Sequence, residues 1–313
     1  MPKRTLDRKR ALVWRTMLTG ILVVIGVGIL ALHRSTLTAS LHAVRGSSPI
    51  WLTVAFLLMT LTFCIAAAIY GVLSLHRLRY MQTLLVELAG AFVNRLLPAG
   101  LGGLGLNGVY LYRQGHSPEE ATAVVSANNA LGIVANVLLL VVMFVVRPSV
   151  VRTLLSRHQL RVSPVWVVAL IVVACVILLV PRIRRPLWRL ADNLRISLRR
   201  LHRSSLLKAL GLAACLTSVY TLVLFCVAHS LGITLSILQL FAVFSFGTLV
   251  GTATPTPGGL VGTEAGLFTG LVVYGVTDAT AGAVVLLFRL MTYWLPLLPG
   301  VIALLKVRSR QLV

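Results

Sequence analysis

Apolar residues run through this chain in stretches of the length a bilayer demands, separated by short polar and mostly basic segments. A helix needs about 20 apolar residues to cross the hydrocarbon core. That length predicts six membrane helices: Val13 to Leu32, Ile50 to Leu75, Ala121 to Val146, Pro164 to Val180, Lys208 to Leu231 and Ala279 to Leu305. Four shorter apolar pieces remain, Met81 to Leu97, Leu101 to Tyr112, Leu238 to Thr254 and Leu260 to Tyr274. Each pair of short pieces is joined through helix breakers: Pro98 to Asn107 reads PAGLGGLGLN, and Pro255 to Glu264 reads PTPGGLVGTE. Each pair is either a re-entrant hairpin or two short crossings, and both return the chain to the side it left. Broken backbone frees N–H and C=O groups that lipid cannot satisfy, so it belongs where it lines a cavity or a binding site. Two such breaks at corresponding places in two halves mark a transporter-like architecture with its site near the midplane.

The halves echo each other beyond the breaks. Gly115-His-Ser-Pro-Glu-Glu-Ala-Thr-Ala-Val aligns with Gly275-Val-Thr-Asp-Ala-Thr-Ala-Gly-Ala-Val, and each segment opens a long span with residues suited to a helix N-terminus. Each half holds three long spans and one broken pair, an odd count however the pair runs. The expected fold is therefore all-α: a polytopic membrane helix bundle of two inverted repeats. One integral membrane domain covers residues 1–313, with repeat 1 at about 12–150 and repeat 2 at about 160–306.

Composition agrees with this class. The chain is 58% hydrophobic and 12% charged, with a mean hydropathy of +0.94, more apolar surface than a soluble domain could bury. A net charge of +22 would suggest nucleic acid in a soluble protein, but here the basic residues lie between the apolar spans and report topology and anionic lipid instead. By the positive-inside rule, both termini, Arg77 and Arg79, and the stretch Arg182 to Lys208 are cytoplasmic. The same scheme turns the loop Arg147 to Arg161 outward, with its four arginines among the lipid headgroups. Cys64, Cys175, Cys215 and Cys226 sit inside apolar segments without a CxxC pair, so neither a disulfide framework nor a zinc site is expected. No small-x-small cleavage site closely follows the first span, which is expected to be retained.

Ionisable side chains within apolar spans are expensive and so point to function. Glu87, Arg95, Glu264 and Arg289 stand out. Glu264 closes the second break, while Arg289 lies inside the last span with Thr292 and Tyr293 on nearby turns, so Glu264 and Arg289 are expected to pair. In the first half the aligned positions are neutral: Asn107 ends the first motif as Glu264 ends the second, and Asn129 falls opposite Arg289. Ser126, Asn129 and Asn136 put a polar stripe on one helix. That stripe reads either as a hydrophilic groove for a lipid headgroup or as interhelical hydrogen bonding. Gly100 to Gly105 matches GxGxxG but follows no strand of a βαβ unit, which excludes dinucleotide binding. The histidines lack ligand spacing, so no metal or cofactor is expected.

Asn94-x-x-x-Pro98-x-x-x-Gly102-Gly103, and Pro255-x-Pro257-Gly258-Gly259-Leu-x-Gly262-x-Glu264-Ala265 followed by Gly275 and Arg289, resemble the membrane region of lysylphosphatidylglycerol synthases. That region defines a wider family of small flippase-like bacterial and archaeal proteins, and the resemblance covers nearly the whole chain. It implies an inner-membrane protein that moves or handles lipids, with Pro257, Gly258, Gly259, Gly262 and Glu264 as its motif residues. Such synthases also carry a soluble aminoacyltransferase domain; the longest non-membrane stretch here, Pro181 to Ser205, is too short to fold one, so synthase activity is not expected.

The expected function is binding and flipping of a lipid with an anionic or glycosylated headgroup. Glu264, Arg289, Gly258, Gly259, Gly262, Pro257, Asn129, Asn107, Gly102, Gly103, Tyr293 and Glu87 are the candidate headgroup or cavity residues. The alternative is a non-transporting accessory subunit whose partner is an envelope glycosyltransferase or another lipid-pathway enzyme. No Walker A sequence supplies ATP.

Overall fold

The computed structural model describes residues 42, 44–96, 101–150, 202–254 and 259–313. The predicted spans Val13 to Leu32 and Pro164 to Val180, and the motif residues Pro257 and Gly258, lie outside them. The described residues form helices and no strand: α1 (Pro49–Leu73), α2 (Tyr80–Leu96), α3 (Leu101–Arg113), α4 (Pro118–Val146), α5 (Arg203–Ser230), α6 (Ile237–Ala253), α7 (Gly262–Val273), α8 (Asp278–Arg289) and α9 (Leu297–Ser309). A π-helical turn, Leu290–Trp294, joins α8 to α9. Four helical stretches are long and apolar enough to cross a membrane: α1, α4, α5, and α8 through α9. All four match predicted spans. The chain is a polytopic membrane helix bundle.

The central pair is α1 and α5, and they run antiparallel. The Ser48 N–H at the head of α1 donates to the Ser230 carbonyl at the foot of α5, at 2.8 Å. Along the seam, Ala55 and Met59 cluster with Val223 to Ala228, whereas Ile69 to Leu73 cluster with Ala209 and Ala213. Because α2 follows the end of α1 and α6 follows the end of α5, the pairs α2–α3 and α6–α7 open at opposite ends of the bundle. At the α2–α3 end, Arg113 donates to the Gln311 carbonyl at 2.9 Å, so the carboxyl-terminal turn with Arg308 and Arg310 sits beside the loop carrying Arg77 and Arg79. Arg147 ends α4, about 45 Å along the axis from its N-cap at 1.5 Å per residue.

At 17, 13, 17 and 12 residues, α2, α3, α6 and α7 are each shorter than the roughly 20 residues a crossing needs. Small residues bring each pair together, since apolar surface alone does not drive association in lipid. In α6–α7, Gly266 faces Gly247, Gly262 packs on Thr254 and Val250, Gly251 on Thr263 and Gly270 on Val243; a Cβ added to Gly266 would stand 2.7 Å from the Gly247 Cα. In α2–α3, a Cβ on Gly102 would collide with the Val93 carbonyl.

The two connections after these pairs have the same structure. At the end of α3, His116 N–H bonds to Leu111 O at 3.2 Å and Gly115 N–H to Tyr112 O at 3.1 Å; at the end of α7, Val276 bonds to Leu271 O at 3.2 Å and Gly275 to Val272 O at 2.9 Å. These are the paired 6→1 and 5→2 bonds of a Schellman cap. Its left-handed position is filled by Gly115 (φ +93°) and Gly275 (φ +88°), where a side chain would be strained. Each cap leads into a helix start capped by Ser117 or Thr277.

Packing crosses between the halves. Gly300 of α9 lies against Leu88 and Phe92 of α2, and Ser245 of α6 donates to the Asn136 Oδ1 of α4 at 3.2 Å.

Candidate functional site

Residues flanking both breaks line one cavity of about 780 Å³. Asn94, Arg95 and Gly103 come from the first break; Thr254, Gly259 and Thr263 come from the second; Glu87, Asn107, Tyr220, Arg289, Thr292 and Tyr293 complete its polar wall. Threonines at 62, 248 and 252 add hydroxyls.

Backbone geometry builds the second-break side. Gly259 sits at φ +66° and Val261 at φ +73°, and α7 starts at Gly262, which puts Glu264 in its first turn where the helix dipole favours a carboxylate. Across from it, Arg289 ends α8. Its Nε lies 2.7 Å from Glu264 Oε1, with side-chain exposures of 12% for the arginine and 28% for the glutamate. The Nε–H does not point along that contact, so the pair is held by charge rather than by an aligned hydrogen bond. Arg289 Nη2 also donates to the Gly259 carbonyl at 3.3 Å. The expected Glu264 and Arg289 pair is therefore formed, with Gly259 as a second acceptor.

The π turn shapes the opposite wall. Leu295 N–H reaches back five residues to Leu290 O at 2.9 Å. The partner that an α-helix would offer the Thr292 carbonyl is Pro296, which has no N–H. Arg95 fills the vacancy from α2: its Nη2 donates to Thr292 O at 2.6 Å, and its Nη1 donates to Ala91 O. The guanidinium carbon of Arg95 stands 4.9 Å from the Tyr293 ring centroid and that of Arg289 stands 5.5 Å from it, so one aromatic ring receives two cations. Among the described residues no carboxylate lies within 4 Å of Arg95. The cavity thus holds one guanidinium matched by Glu264 and one matched only by carbonyl dipoles and a ring face, an arrangement with spare donors for an anion.

Asn94 Oδ1 accepts from Gly103 N–H at 2.5 Å, which ties the two arms of the first pair at their narrow end. Gly102 and Gly262 are packing residues of the two pairs and do not face the cavity. Asn129 lies apart from the cavity. It is exposed and not part of the cavity wall, and its Nδ2 donates at 2.8 Å to the carbonyl of Val125 one turn earlier, which satisfies the amide within its own helix. Of the predicted polar stripe, Asn136 accepts an interhelical hydrogen bond from Ser245 of α6. The unassigned cavity residues are Arg95, Asn94, Tyr220 and the threonines. Arg95 carried a signal as an intramembrane charge; the others are types that packing alone also uses.

The sequence profile described as the lysylphosphatidylglycerol synthase TM region matches residues 17–300. The chain belongs to this family. No curated protein matches it. Membership of the lysylphosphatidylglycerol synthase membrane-region family agrees with the helix bundle and links the protein to lipid-related pathways. The match concerns the membrane region of those synthases.

Proposed function

We propose that this protein binds the anionic headgroup of a membrane lipid in the cavity between its two broken helix pairs and helps that lipid cross the bilayer. The observation that carries this is the pair of guanidiniums flanking Tyr293, of which, among the described residues, only one is neutralised by a carboxylate. A phosphate accepts bidentate hydrogen bonds from arginine and would compete with Glu264 for Arg289. Glu264 then holds Arg289 in place while the site is empty.

Under this proposal the α2–α3 and α6–α7 pairs are re-entrant hairpins entering from opposite faces, and the halves are inverted repeats. Supporting this are their short helices, their opposite openings and the matching Schellman turns 160 residues apart. The basic end with Arg77, Arg79 and Arg308 faces the cytoplasm of a cell whose inner membrane houses the protein.

The test is lipid movement. Purified protein in vesicles carrying fluorophore-labelled phosphatidylglycerol should expose inner-leaflet label to an impermeant quencher, with Arg95→Gln and Arg289→Gln each slow. Wild-type movement in Arg289→Gln vesicles would remove the headgroup role. An inert wild-type protein that copurifies with an envelope glycosyltransferase would favour the accessory-subunit alternative.

A further inference from the structure

Glu87 lines the same cavity from α2, yet it takes no part in the guanidinium site. Among the described residues its buried Oε1 accepts no hydrogen bond, and no lysine, arginine or histidine lies within 4 Å of its carboxylate. The groups that face it are neutral: the Tyr70 phenol from α1, the Tyr220 phenol from α5 and the Asn107 amide from α3. Asn107 Oδ1 is itself buried without a donor among the described residues. The α9 helix packs on α2 through Gly300, Ala303 and Val307, none of which carries charge. Arg95 lies eight residues further along α2, about 12 Å at 1.5 Å per residue, and Arg289 is held by Glu264. Among the described residues an ionised carboxylate here would have no cation beside it and only the neutral Asn107 amide and phenol groups as donors, whereas a protonated one needs no cation and brings a hydrogen of its own.

We propose that Glu87 is a proton-binding site coupled to the headgroup, holding a proton in the empty cavity and keeping it while an anionic headgroup is bound. The proton comes from water and sits on a carboxylate oxygen; no other bond forms or breaks. A charged Glu87 and a charged headgroup in one cavity repel, so proton and headgroup favour each other's binding, and the linkage is reciprocal. A headgroup that crosses with its proton is then driven by a proton gradient, which supplies the direction that two inverted halves alone do not. The coupling rests on the headgroup reading of this cavity, whereas the protonation of Glu87 does not.

Two measurements separate them. Infrared spectra of the full chain in phosphatidylcholine nanodiscs should show a protonated-carboxyl band at neutral pH that is missing from Glu87→Gln. Binding of short-chain phosphatidylglycerol to the wild type should weaken several-fold from mildly acidic to alkaline pH, while Glu87→Gln keeps the acid-side affinity throughout. Glutamine has nearly the shape of the protonated acid, so an unchanged melting temperature verifies that the variant folds. Absence of the band, or its loss on adding sodium chloride but not choline chloride, overturns the proton assignment. Parallel pH dependences in the two proteins overturn the coupling. If neither binds phosphatidylglycerol at any pH, the headgroup reading and the coupling both fail, and the band alone still decides whether Glu87 holds a proton.

Discussion

Arg289→Gln removes one member of a 2.7 Å ion pair and leaves the other, Glu264, with a carboxylate 28% exposed. Orphaning one charge of a dry buried pair costs about 3–5 kcal/mol; the cavity admits water to Glu264, which lowers the expected loss to about 1–3 kcal/mol. Loss of the Arg289 bond to Gly259 O adds about 1 kcal/mol. Glu264→Gln should be milder, because Arg289 retains the Gly259 carbonyl and the Tyr293 ring. The double variant has no orphaned charge, so it should recover part of the loss and give a coupling energy of about 1–3 kcal/mol in a double-mutant cycle. Reversible unfolding in detergent micelles, by heat or denaturant, measures the cycle, with lipid movement in vesicles assayed in parallel. Stability should partly return in the double variant and transport should not. Single-variant losses that add to within about 0.5 kcal/mol would refute a direct interaction between the two side chains.

Three further outcomes are expected. Gly262→Val, whose Cβ collides with Thr254, should prevent the α6–α7 pair from closing and lower the yield of folded protein, while Gly108→Ala, with nothing near the added methyl, should be neutral or stabilising by about 0.5–1 kcal/mol in thermal melts. Burial holds the His116 imidazole below its usual range, so the folded state prefers the neutral ring; its contribution to stability is full above about pH 6.5 and is lost as the pH falls through the lower folded value, and His116→Gln should flatten that acid limb in melting curves. On a cysteine-free background, Arg308→Cys should be shielded from an impermeant thiol reagent in intact cells and Arg147→Cys labelled; the reverse would invert the topology.

Long spans were legible because hydrophobic length is a strong local signal: α1, α4 and α5 begin and end within a few residues of the apolar runs that predict them. The Glu264 and Arg289 pair was legible because two opposite charges in apolar sequence have few other partners. Arg95 was visible as a charge but not as a neighbour of Tyr293, since its anchor is a carbonyl 197 residues away, freed by a proline and a π turn that periodicity does not encode. Asn129 shows the converse. Spacing placed it on a face with Asn136, but only α6 decides which residues of that face meet a neighbour, and Asn129 turns back on its own helix.

The seat of α9 against α2 bears on the order in which the protein matures. Gly300 can approach Phe92 and Leu88 only after the final helix has been made, so the α2–α3 pair waits through the synthesis of some 200 residues before its outer face is covered. During that interval Arg95 lacks the Thr292 carbonyl and Tyr293. Lesions near the end of the chain should therefore appear as proteolytic sensitivity of the first half, and insertion chaperones should dwell longest on α2 and α3.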